Sequence, residues 1–115
     1  MNIHDVTLNI HYSIIDDEIS DILGNIYKSM PFYSESIISG CPSWTGEDIK
    51  LTASVESGGI QISGTMPDEQ WKEWYRELTQ KLTVALGYPI GDAEDGFEFV
   101  FEKPVISSKK KKRRK

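Results

Sequence analysis

The stretch Ile49–Gly87, IKLTASVESGGIQISGTMPDEQWKEWYRELTQKLTVALG, decides the fold. In its first half Ile49, Leu51, Ala53 and Val55 alternate with more polar residues, and Ile60, Ile62, Gly64 and Met66 do so again after Glu56-Ser57-Gly58-Gly59. A period of two marks strands with one buried face, and a Gly-Gly turn between two such runs predicts an antiparallel hairpin. In the second half the period changes. Trp71, Trp74, Tyr75, Leu78, Leu82, Ala85 and Leu86 trace one stripe of a helix over 68–86. Pro67 suits a first helical position, Asp68 and Glu69 complement the helix dipole, Gly87 suits the residue just past the end, and Pro89 prevents continuation.

Working outward, the N-terminal side supplies another strand and helix. Val6, Leu8, Ile10, Tyr12 and Ile14 share one side of an alternating run, which predicts a strand near 5–14 with those residues inside and Asn9 and His11 outside. Asp16 is placed to cap a helix over 17–29, whose apolar stripe is Ile19, Ile22, Leu23, Ile26, Tyr27 and Met30. Residues 31–47 hold Pro31, Gly40, Pro42 and Gly46 among serines and read as a long connection, a kind that often carries function. On the C-terminal side, 91–96 reads as an acidic turn. Phe97, Phe99 and Phe101 then alternate with Glu98, Val100 and Glu102, predicting a last strand near 97–102 with its Phe face in the core.

The resulting order, β-α-β-β-α-β, is that of ferredoxin-like folds. The expectation is an α+β domain over 1–104, with a four-stranded antiparallel sheet and two helices on one face. Residues 105–115 follow as a polybasic tail too charged to pack alone.

Charge is distributed unevenly. Residues 109–115 read KKKKRRK, while all 18 Asp and Glu lie before residue 109 beside only six Lys and Arg, a formal body charge of −12. Such a body repels nucleic acid and attracts a basic protein partner; only the tail has the opposite preference. The opening MNIHDVTLNI has no basic region followed by an apolar run, and no stretch approaches the roughly 20 apolar residues that span a bilayer. A cytoplasmic location without membrane attachment is expected. The single cysteine, Cys41, excludes an internal disulfide framework.

The search for chemistry returns no catalytic residue, no metal ligand set and no cofactor motif. His4 and His11 have no HExxH or CxxC companion, Gly58-Gly59 does not open a helix, and the 92–96 loop lacks the ligand spacing of an EF-hand. An enzyme is therefore not expected. The carboxylates exceed what helix capping uses. The candidate partner-binding residues are Asp92, Glu94, Asp95 and Glu98, helped by Glu47 and Asp48, with Trp74 as an aromatic anchor if its ring reaches the surface.

A short acidic chain with a Trp-bearing PDEQWKEWYRELTQKL helix and an LGYPIGDAEDGFEFVF ending resembles immunity proteins of bacterial toxin–immunity systems in size, charge and architecture. The resemblance implies a complex with a basic toxin domain, often a nuclease, and transfers no functional residue. The competing readings are a phage-type inhibitor that mimics nucleic acid with its carboxylates, and a nucleic-acid-binding accessory protein that uses KKKKRRK. A small enzyme or ligand-binding domain is a further alternative, since fold alone decides no function.

Overall fold

A computed structural model describes residues 2–38 and 41–104 of the chain. The architecture is α+β. Its elements are β1 (Ile3–Leu8), α1 (Asp17–Ser29), β2 (Tyr33–Ile38), β3 (Cys41–Gly46), β4 (Ile49–Glu56), β5 (Gly59–Thr65) and α2 (Asp68–Leu86), with short 3-10 turns at Tyr12–Ile14 and Ala93–Asp95. The five strands form one antiparallel sheet in the order β1-β5-β4-β3-β2.

Both helices form for the reasons their sequences give. The Asp16 carboxylate accepts a 2.9 Å bond from the Ile19 N–H, which occupies one of the orphan donors at the start of α1. Ile19, Leu23 and Tyr27 then turn inward. In α2 the inward residues are Trp74, Leu78, Leu82 and Leu86, and Gly87 ends the helix in the left-handed conformation (φ 85°), its N–H donating to the Thr83 carbonyl.

Trp44 is the hinge of the core. It is fully buried, meets Tyr27 of α1 and Trp74 of α2 edge-on at 5.4 and 5.1 Å, and donates its indole N–H to the Tyr27 carbonyl at 3.1 Å. Both helices therefore cover the same face of the sheet, the one that presents Trp44, Leu51, Ala53, Ile60 and Ile62. Leu51, Ile60 and Ile62 each stabilise the fold by about 1.5–3 kcal/mol on burial.

The expectation of four strands in ferredoxin-like order is corrected in three places. Residues 31–47 are not a connection: they carry β2 and β3, irregularly paired between Ser34 and Ile38. Serines, Pro42 and Gly46 hid these strands, and Trp44 is the large core side chain of β3. Next, β1 stops at Leu8 and the chain turns through Tyr12–Ile14, so Ile10 and Ile14 are buried in the turn while Tyr12 faces solvent. Last, Phe97–Phe101 is not a strand. Among the described residues the outer edge of β1 is bridged once, Leu8 to Asp92, and 97–101 joins no ladder. Its phenylalanines are not core: Phe101 is 65% exposed and Phe97 37%. The tail reading falls on residues 105–115, which lie outside the described residues.

Candidate interaction surface

Strand register separates the acidic candidates. At one end of the sheet Leu8 pairs with Ile60 and Val55 with Ile60; at the other Ile3 pairs with Thr65 and Lys50 with Thr65. Five residue steps of about 3.3 Å put these ends about 17 Å apart. Asp92 bridges Leu8 and Glu98 offers its carbonyl to Asn9 at the first end, and Glu94 and Asp95 sit in the short turn that follows Asp92. Glu47 and Asp48 form the β3–β4 turn at the second, so the structure does not bring the two sets together. Trp74 belongs to neither surface. It is 2% exposed, donates its indole N–H to the Pro31 carbonyl at 3.2 Å and packs on Trp44, so it is a core residue and not an anchor.

The first end is built by an arm, residues 88–103, that wraps the sheet terminus. Asn9 holds it. Its Nδ2 donates to the carbonyls of Pro89 (2.9 Å) and Glu98 (2.7 Å), and its Oδ1 accepts from the Gly91 N–H (2.9 Å). Its main chain accepts from the Tyr88 hydroxyl (3.0 Å) and donates to the Gly91 carbonyl (3.2 Å). A fully buried Asn is tolerable because both ends of its amide are satisfied. Alternation had placed Asn9 on a solvent face; no local signal distinguishes it, because its partners are about 80 or more residues away.

Beyond Asn9 the arm lays aromatic rings on the surface. Phe97 packs against Gly91, and Phe99 reaches Gly59 of the β4–β5 turn, where a Cβ would collide with the Leu8 carbonyl. Phe101 meets the His11 ring at 4.8 Å, and His11 stacks on Tyr12 at 4.3 Å. Lys103 closes the arm on the start of α1, pairing with Asp16 at 2.8 Å and with Glu18. The Lys103 ammonium, and after it the Ile19 N–H, hold the Asp16 carboxyl below its usual range, and the same two carboxylates raise Lys103.

The arm and its neighbour Tyr12 thus expose three aromatic rings, Tyr12 and Phe101 both against His11 and Phe97 against Gly91. Asp92 spends its side chain capping the 3-10 turn through the Glu94 N–H (3.0 Å). Burial, then the charges of Asp92 and Asp95, push the Tyr75 hydroxyl up to about 12. Glu94, Asp95, Glu98 and Glu102 are exposed, and among the described residues no cation pairs with them.

The second end has its own exposed aromatic, which the sequence reading did not single out. Phe32 takes a left-handed backbone (φ 74°), unusual for a bulky residue and costing about 1–3 kcal/mol. The Thr45 N–H holds its carbonyl at 2.9 Å, and its ring lies against Gly46 and is 40% exposed. Pro31 and Phe32 face Gln70, Glu73, Trp74 and Glu77 across a groove of about 240 Å³.

Among the described residues no three His, Cys, Asp or Glu side chains gather as a metal site, and no helix is long and apolar enough to cross a membrane. No family model, curated protein or solved structure matches the chain.

Proposed function

We propose that this chain is an acidic binding protein that neutralises a basic protein partner through the arm end of the sheet. In this reading it is an immunity protein that inhibits a cognate bacterial toxin domain, a nuclease being one such target. The observation that carries it is that the arm exposes Phe97 and Phe101, the latter joined through His11 to exposed Tyr12, and also carries Glu94, Asp95, Glu98 and Glu102, none of them paired with a cation among the described residues. Exposed apolar area rimmed by polar groups marks interaction surfaces, and aromatic anchors ringed by one sign of charge suit a partner of the opposite sign. The Asn9 bonds fix the arm in advance, which lowers the ordering cost of association. The reading names no catalytic residue and no cofactor, and it places the protein in the cytoplasm.

The test is affinity capture from the native host followed by binding kinetics with the captured protein. Glu94→Lys combined with Asp95→Lys is expected to slow association about tenfold or more at low salt, with the penalty shrinking as salt rises. Neither residue builds the core, so the fold should be retained. Unchanged association at low salt would remove the arm end from the interface.

A further inference from the structure

We infer that the groove between Phe32 and the first half of α2 is a receptor for an arginine side chain. It is a second contact at the hairpin end of the sheet, meaning the end where β3 turns into β4, and it rests on the reading of a basic protein partner. Three features of the groove select that occupant. Its outer wall is the Phe32 ring, held outward by a left-handed backbone that nothing in the local sequence requires. Its floor is the buried edge of Trp74, whose N–H is already used by the Pro31 carbonyl, so the floor adds no competing donor and the ring face open to a ligand is that of Phe32. Its rim is Glu73 and Glu77, one helical turn apart on the same side of α2.

The charges decide the sign. Glu77 is shared with Lys81 at 2.9 Å, whereas Glu73 is exposed and pairs with no cation among the described residues. The groove thus keeps one uncompensated carboxylate beside an aromatic face. A guanidinium fits both: it lies flat on a ring and forks its N–H groups toward carboxylate oxygens. An ammonium matches the charge but offers no plane to stack, so arginine is preferred over lysine. The turn Glu47–Asp48 follows Gly46, on which Phe32 rests, and adds negative charge at the same end.

The experiment titrates the full chain with N-acetyl-arginine amide and follows the Trp74 indole N–H and the Glu73 amide by NMR. N-acetyl-lysine amide and the neutral isostere N-acetyl-citrulline amide serve as comparisons. Saturable shifts with the arginine probe, weaker with lysine and absent with citrulline, are expected. Glu73→Gln should weaken arginine binding about fivefold, the effect of one exposed ion pair. Phe32→Gly, which relieves the left-handed strain, should weaken it as well. Glu73 is exposed on a helix, so its variant keeps the question answerable if Phe32→Gly fails to fold. Absence of saturation, equal binding of citrulline, or full affinity in Glu73→Gln would each overturn the inference. These outcomes need no partner, so a failure here leaves the arm-end reading standing, and a failed capture leaves this one standing.

Discussion

The arm end and the hairpin end both pair an exposed aromatic with carboxylates, yet they are made in opposite ways. At the arm end the aromatics lie on an irregular segment fastened by one buried amide, Asn9, and by the Lys103 ion pairs. At the hairpin end the aromatic projects from a strained position between regular elements, backed by the packed Trp44–Trp74 pair. The first surface depends on a few polar bonds and the second on core packing. Local damage should therefore spread differently from each.

The largest expected effect tests the core behind the hairpin end. Trp74→Ala should cost about 3–5 kcal/mol in denaturant unfolding, since it opens a cavity beside Trp44 and frees the Pro31 carbonyl. A loss below about 1 kcal/mol would mean that Trp74 is not the support assumed here.

Asn9→Ala comes next, at about 2–4 kcal/mol, because it leaves the buried Gly91 N–H and the part-buried carbonyls of Pro89 and Glu98 without this partner. Its signature is local. Amide exchange at Gly91 should accelerate far more than in β4 or α2, and uniform acceleration would erase the contrast between the ends.

A titration compares causes at Tyr75. Asp95→Asn should lower its midpoint from about 12 but leave it well above 10, because burial outranks the carboxylates among the causes. Since the folded value is raised, the chain should lose stability as pH climbs from 10 through that midpoint. A fall to 10 in the variant would make Asp95 the main cause and the ring an exposed one.

The smallest effect concerns the arm clip. Lys103→Gln should raise the Asp16 midpoint toward 3.8, read from its carboxyl resonance. Asp16 is depressed in the folded chain, so its contribution is present above 3.8 and is lost as pH falls through the folded value. An unmoved midpoint would show that the Ile19 N–H alone sets it.

Where the sequence was legible, the signal was local. The helices fall within a residue of the expected spans, and the β4–β5 hairpin matches its alternation and Gly-Gly turn, because periodicity and caps act between near neighbours. The acidic turn 92–96 is equally local, with Asp92 capping it.

What the sequence by itself determined is the α+β class, the two amphipathic helices, one hairpin and the surplus of carboxylates. Only the tertiary structure decided which apolar runs became core. Phe97, Phe99 and Phe101 alternate as well as any strand, but among the described residues the outer edge of β1 takes a single bridge, and Phe97 and Phe101 stay exposed. Cys41–Gly46 looks like loop, but Trp44 finds Tyr27 and Trp74 and makes it a strand. The polar Asn9 is buried because Pro89, Gly91 and Glu98 come to it. Burial depends on partners distant in sequence, and alternation reports only that a side chain has two faces to choose from.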